Sequence, residues 1–153
     1  MKKSDLTEME GTIGNQSEQL NQSNLLHGKV AVIFGAGGAT GSQVAREFSK
    51  EWATVFLSGR HLPSVKSVVK EIRTSQGKIN AAEVDALNEN AVTTYLGDVV
   101  NQAGNVDIFF NAMGLQPVEH DYGKDTMELS YENFIVPMTT CIGSNSSLTC
   151  DIR

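Results

Sequence analysis

The sequence predicts an α/β fold, a parallel sheet with helices on both faces. Three observations predict it. Strand-like and helix-like segments alternate about every 25 residues from residue 28 onward, the pattern that builds right-handed crossovers between parallel strands. The first strand-like segment, KVAVIF (Lys29 to Phe34), is apolar without alternation, as expected of a strand buried on both faces. A cluster of glycines follows it and leads straight into a helical pattern.

Each element has its own reason. Thr40 to Lys50 reads as a helix, with Val44, Phe48 and Trp52 at i, i+4 and i+8 on one side. ATVFLS (Ala53 to Ser58) is the second strand. Leu62 to Ser75 is a helix with Val65, Val69 and Ile72 as its apolar stripe, and Gly77 stops it. KINAAEVD gives a third strand that ends at Asp85. Asn88 to Ala103 is helical, with Val92, Leu96, Val99 and Val100 inward and Gly104 at its end. VDIFFNAMG is a fourth strand that runs into a loop, and the polar stretch LQPVEHDYGKDTMEL continues that loop. A last helix starts at Ser130, with Glu132 and Asn133 in its first turn. The expected strand order is 3-2-1-4. That order leaves the fourth strand as an edge whose unpaired N–H and C=O groups invite association of copies, and the last helix is a second surface for it.

Residues 1 to 27 are polar and poor in aromatics. They cannot bury enough apolar surface to offset ordering entropy, so they read as a mobile leader, with order beginning at Gly28. Residues 28 to 153 read as one partial domain. The net charge is -6 without a basic stripe, which argues against nucleic acid as a partner. No apolar run approaches the roughly 18 to 20 residues that span a bilayer. MKKSDLTEMEGT has no apolar core behind its lysines, so it is not a secretory signal and the expected location is cytoplasmic. Cys141 and Cys150 match no zinc spacing and read as free thiols. No metal site is expected.

The glycine loop carries the functional signal. Glycine permits a sharp turn and lacks the Cβ that would block a close ligand. The helix that follows presents free backbone N–H groups and the positive end of its dipole, where a pyrophosphate fits. Two spacings compete. G-x-G-x-x-G fails because Thr40 takes its last position, while G-x-x-G-x-x-G succeeds through Gly35, Gly38 and Gly41. A glycine turn with no ligand stays open as the plain alternative. The context of strand, loop and helix favours a dinucleotide site.

Gly28 to about Thr149 resembles the N-terminal half of a short-chain dehydrogenase/reductase. The family's T-G-x-x-x-G-x-G is matched at Gly35 and Gly41, with Phe34 for the threonine and Ala39 for the middle glycine. VDALNENAV resembles its segment after the third strand, which implies that Asp85, with Ala86 beside it, meets the adenine ring. VDIFFNAMG resembles D-I-L-V-N-N-A-G, with Asn111 and Gly114 matching and Ala112 and Met113 departing. MELSYENFIVPM resembles the start of the next helix. The resemblance implies a Rossmann-like sheet that binds NAD or NADP through Gly35, Gly37, Gly38, Ala39, Thr40, Gly41, Asn111, Ala112 and Met113.

The end of the second strand bears on which dinucleotide. NAD sites usually place a carboxylate there for the ribose hydroxyls. Here the strand ends in FLSGRH: Gly59 stands at the acid's place and Arg60 follows. A guanidinium can pair with a 2′-phosphate, and Ser58 can add a hydrogen bond. NADP is therefore expected over NAD, with Arg60 as a solvated surface charge the alternative.

The family's chemistry needs a tyrosine with a lysine at i+4, whose ammonium lowers the phenol pKa, and a serine on the preceding strand. Tyr95 is followed at i+4 by Val99, Tyr122 by Thr126 and Tyr131 by Ile135. Lys124 lies only two residues after Tyr122. SNSS (Ser144 to Ser147) falls inside the last helix with no buried strand before it. Pro137 takes the place of the family's helix asparagine. By the resemblance, serine, tyrosine and lysine come from later strands and helices, and the chain reaches Arg153 where that half would begin. The expectation is a cofactor-binding half of an oxidoreductase, inactive alone. A non-enzymatic NADP-binding or sensing module, or a truncated product without function, are the alternatives.

Overall fold

The computed structural model describes residues 24–72, 78–114, 125, 128 and 130–150. The elements run β1 (Val30–Phe34), α1 (Ala39–Lys50), β2 (Thr54–Gly59), α2 (Leu62–Ile72), β3 (Ile79–Glu83), α3 (Glu89–Ala103), β4 (Ile108–Asn111) and α4 (Tyr131–Cys150). The four strands form one sheet in the order β3-β2-β1-β4, all parallel. This is the Rossmann-like arrangement that the alternation predicts.

β1 is central and all five of its residues are buried. Its side chains alternate between two cores, because successive strand residues point to opposite faces. Val30, Val32 and Phe34 join Phe56 and the inner face of α3 through Val92, Leu96 and Val99. Ile33 joins Val55, Leu57 and the inner faces of α1 and α2 through Ala45, Val65, Val68 and Ile72. The register sets Phe34 beside Ser58 of β2 and beside Asn111 of β4. The C-terminal ends of these three strands are therefore level, and the loops that leave them meet at one end of the sheet.

Several local expectations shift. Trp52 does not extend the α1 stripe. The helix ends at Lys50, and Trp52 stands just beyond it with φ +69. The Trp52 and Ala53 amides donate to the Ser49 and Phe48 carbonyls, the paired closure of a helix end that usually employs glycine at the left-handed position. Val100 is 45% exposed, since Val99 already completes the buried stripe of α3. Val68, which the stripe reading passed over, is buried. The chain is also placed before Gly28: residues 25–28 form a turn, in which the Leu26 amide donates to the Glu51 carbonyl at 3.0 Å. The end of the second helix at Gly77 and most of the loop after Gly114 lie outside the described residues, as do residues 1–23.

The other end of the sheet is tied electrostatically. Asp107, just before β4, accepts hydrogen bonds from the Val30 amide at 2.8 Å and the Lys29 ammonium at 2.9 Å. The Val30 amide first, and then Lys29, hold its carboxyl below the usual range.

A candidate dinucleotide cleft at the strand ends

The loops after β1, β2 and β4 are bound to one another by backbone hydrogen bonds. The Ala36 amide donates to the Ser58 carbonyl, and the Ala112 amide to the Phe34 carbonyl. Between them opens a cleft lined by Gly35, Gly37, Gly38, Arg60, Met113 and Gly114, with Val84 and Ala86 as apolar wall. It stands where β1's two neighbours lead away in opposite directions, the place where open α/β sheets bind ligands.

The glycines of the loop divide by function. Gly35 has φ +74, and a Cβ there would stand 2.7 Å from the Ala112 carbonyl group. A Cβ on Gly41 would stand 2.5 Å from the Gly35 carbonyl oxygen. Both are glycine because backbone passes close by, whether or not a ligand binds. Gly38 differs. It has the extended φ and ψ of an N-cap, -85° and 170°, and a Cβ there would meet nothing closer than the Gly35 carbonyl oxygen at 3.4 Å. The fold itself does not demand a glycine at Gly38, and the helix end beside it is clear of side chains.

The N-terminus of α1 is correspondingly open. No side chain caps it and its first turn holds no acidic residue. The amides of Ala39, Thr40 and Gly41 have no acceptor one helical turn back. Ala39 and Thr40 are exposed, and Ala39 lines a polar groove that adjoins the cleft across Gly37 and Gly38. This donor set suits a pyrophosphate, so the residues present fit the dinucleotide that the loop implies.

Other expected residues take different places. Ser58 is fully buried, and its hydroxyl donates to the Ile33 carbonyl at 3.3 Å. It points into the core and cannot reach a 2′-phosphate. Arg60 is exposed on the cleft wall and has no carboxylate partner among the described residues. Asp85 does not line the cleft. Its carboxylate accepts from the Leu87 amide at 3.0 Å, while Val84 and Ala86 on either side form the wall. Ala112 presses its backbone on Gly35, and Met113 joins both cleft and core.

Four features were missed in the sequence. His61 and Ser64 line the cleft beside Arg60. Glu83 of β3 accepts from the Leu62 amide at 3.4 Å, so a carboxylate stands near the end of β2 although none lies on that strand. Asn111 is held by α4: its side-chain Nδ2 donates to the Ser144 hydroxyl at 3.1 Å and to the side-chain Oδ1 of Asn145 at 2.8 Å. Its own side-chain Oδ1 accepts from the Met113 backbone amide at 3.0 Å. Ser144 lies inside the helix, as read, and is a buried partner of the strand end. No local pattern announces the bonds of Glu83 to Leu62 and of Asn111 to α4, since each joins distant segments.

The tyrosines supply no acid. Tyr95 packs edge-on against Phe34, with ring centroids 5.7 Å apart, and burial pushes its hydroxyl pKa up, away from neutral proton transfer. Tyr131 is 77% exposed at the start of α4. Tyr122 and Lys124 lie outside the described residues.

Comparison with known proteins agrees with this geometry. The chain is 33% identical over 95 residues to 7alpha-hydroxysteroid dehydrogenase of Escherichia coli K12, covering 61% of this chain and 37% of that protein. It is 30% identical over 99 residues to the uncharacterized oxidoreductase YxbG of Bacillus subtilis, covering 65% of this chain and 35% of that one. The chain thus spans little more than a third of the length of these relatives. Among solved structures, a short-chain type dehydrogenase/reductase from Mycobacterium marinum superimposes with a TM-score of 0.72 at 23% identity, covering 83% of this chain and 49% of the other. A metagenomic short-chain oxidoreductase in complex with NADP gives 0.71 at 21%, covering 83% and 56%. NAD+-bound xylitol dehydrogenase gives 0.72 at 21%, covering 83% and 47%. These structures show the fold, and the neighbours carry both dinucleotides. No described helix is long and apolar enough to cross a membrane. The short chain dehydrogenase family model matches residues 29–142, well over half the sequence, and the chain belongs to that family.

Proposed function

We propose that this chain holds a nicotinamide dinucleotide in the cleft, takes NADPH in preference to NADH, and is the cofactor-binding part of a short-chain oxidoreductase. The observation that carries the reading is the open N-terminus of α1 beneath Gly38, with its free amides, absent cap and space for a ligand. Gly37, Gly38, Ala39 and Thr40 would hold the pyrophosphate. Val84 and Ala86 would line the adenine, with Asp85 behind them. Arg60 would face the 2′-phosphate, and Asn111, through its bond to the Met113 amide, would hold the wall on the nicotinamide side. Bound dinucleotide supplies hydride chemistry; the chain's own residues bind, orient and exclude water.

No described residue of the cleft is placed to give or take a proton at a substrate oxygen, and the sequence holds no tyrosine with lysine at i+4. General acid–base help is typically worth about 100- to 10,000-fold. NADPH oxidation with aldehydes, ketones and quinones should therefore stay at the uncatalysed rate with this chain alone. The same feature supports the second reading, a module that binds or senses NADP without turnover. Association of copies through the β4 edge or α4 belongs to the proposal too, supported by β4 having β1 as its sole neighbour among the described strands.

Titration with both nucleotides, followed by Trp52 and nucleotide fluorescence, tests the cofactor choice. NADPH should bind more tightly than NADH. Arg60→Ala should weaken NADPH about fivefold or more and leave NADH unchanged. Gly59→Asp should narrow or reverse the preference; its Cβ would stand 3.1 Å from a Val65 methyl, a contact the side chain can relieve. Equal affinity for both nucleotides, unchanged in either variant, would overturn the assignment of Arg60.

A further inference from the structure

Asn111 closes β4 and joins the cleft to the last helix. Its Nδ2 carries two N–H groups, and two acceptors on α4 meet them: the Ser144 hydroxyl at 3.1 Å and Oδ1 of Asn145 at 2.8 Å. Its Oδ1 accepts from the Met113 backbone amide at 3.0 Å. Both ends of one planar amide are engaged, so its orientation ties the Met113 backbone to α4. Ser144 is buried, and Asn145 is exposed.

The tied segment belongs to the cleft, since Met113 and Gly114 line it. On its inner side the turn after β4 is fixed by β1. The Ala112 amide donates to the Phe34 carbonyl, and the Ala112 backbone stands where Gly35 admits no Cβ. On its outer side β4 has no strand neighbour among the described residues, and its four residues are only partly buried. The bonds from Asn111 to α4 take the place of such a neighbour at the strand end. α4 is seated a second time where a Cβ on Gly143 would stand 3.9 Å from a Leu87 methyl, so the loss of one hydrogen bond leaves the helix that contact. Ser144 and Asn145 lie about two turns beyond Pro137, the place given above to the family's helix asparagine. Neither lines the cleft, and their reach to it runs through Asn111.

We propose that Ser144 and Asn145 are positioning residues for the nicotinamide end of the cleft. They hold the Asn111 amide, that amide holds the Met113 backbone, and Met113 with Gly114 forms the wall against which the nicotinamide lies. The inference rests on the dinucleotide reading above and extends its site to a helix that does not line it. Gly38, Arg60 and Ala86, at the phosphate and adenine end, take no part in these bonds. A defect in the clamp is therefore felt by the nicotinamide and not by the phosphates.

The experiment measures dissociation constants of two ligands for the full chain and for Asn145→Ala, Ser144→Ala and Asn145→Asp. One ligand is NADPH. The other is 2′-phospho-ADP-ribose, which keeps the adenine, the 2′-phosphate and the pyrophosphate but has no nicotinamide. The readout is the ratio of the two affinities. A general loss of fold weakens both ligands alike and leaves the ratio unchanged. Asn145→Ala and Ser144→Ala should each weaken NADPH about three- to tenfold, the scale of one hydrogen bond, with 2′-phospho-ADP-ribose unchanged. Asn145→Asp keeps an acceptor for Nδ2 and should restore the natural ratio, since any effect of its charge on the phosphates acts on both ligands. An unchanged ratio in either alanine variant would overturn the proposal, as would an Asn145→Asp protein with the ratio of Asn145→Ala. Either result, with both ligands bound by the natural chain, leaves the dinucleotide reading standing. Failure of the natural chain to bind either ligand overturns both.

Discussion

The N-termini of α1 and α3 are closed in opposite ways. At α3, the Asn88 side chain accepts from the Ala91 amide at 3.1 Å and Glu89 brings a negative charge into the first turn. At α1, Gly38 offers no side chain and the first turn has no acid. A glycine N-cap is only about a few tenths of a kcal/mol less stabilising than Asn or Asp, so α1 forgoes a small stabilisation that α3 takes. α3 spends its first-turn amides on the fold, and those of α1 have no side-chain cap, which is what the proposed dinucleotide site requires. The glycines around α1 must then be separated into those that let backbone pass and the one that leaves the helix end clear.

That separation can be tested, beginning with the largest effect. Gly35→Val should cost roughly 3 kcal/mol or more, through a branched residue at positive φ and a clash with the Ala112 backbone. Urea denaturation should show loss of cooperative folding or a much lower midpoint. A stable Gly35→Val protein would mean that the loop relaxes, and that Gly35 is not held by the β4 turn. Asn88→Ala should cost about 1 kcal/mol, read as a lower thermal midpoint, with NADPH affinity unchanged. A loss of affinity in that variant would blur the contrast between the two helix ends.

The smallest effect lies at the opposite end of the sheet. The Val30 amide and the Lys29 ammonium hold the Asp107 carboxyl below its usual range. A depressed folded-state pKa contributes stability above the ordinary carboxyl value, and that stability is lost as pH falls through the folded value. The urea midpoint of the natural chain should therefore exceed that of Asp107→Asn near neutrality, and the two should converge below about pH 4. NADPH affinity at neutral pH should be the same in both, because Asp107 ties the strand ends farthest from the cleft.

The fold was legible because β1 is apolar on both faces and α1, α2 and α3 each carry an apolar stripe. Those are local patterns, and the handedness of crossovers turns them into the order 3-2-1-4. The errors occur where local arithmetic ignores neighbours. Trp52 satisfied an i+8 spacing, yet the helix had already closed with a left-handed residue that is usually glycine. Val99 and Val100 both suit the inner face of α3, and packing admits Val99. Ser58 looked available to a phosphate, although the alternation of β2 sends it to the core side with Phe56. In the cleft, the glycines and Arg60 were legible as a motif. Glu83 and the Asn111–Ser144–Asn145 cluster were not, since their partners are set by tertiary contact.

The most direct test of the open helix end is Gly38→Asp. An aspartate at this extended N-cap position can accept from the first-turn amides as Asn88 does, so the fold should hold or gain about a few tenths of a kcal/mol in stability. The same carboxylate would occupy and repel the pyrophosphate position, and NADPH affinity should fall at least about tenfold, which is about 1.4 kcal/mol of binding. A Gly38→Asp protein of equal or greater stability that no longer binds NADPH is the expected result. One that binds NADPH as tightly as the natural chain would contradict the assignment of the α1 N-terminus as the dinucleotide site.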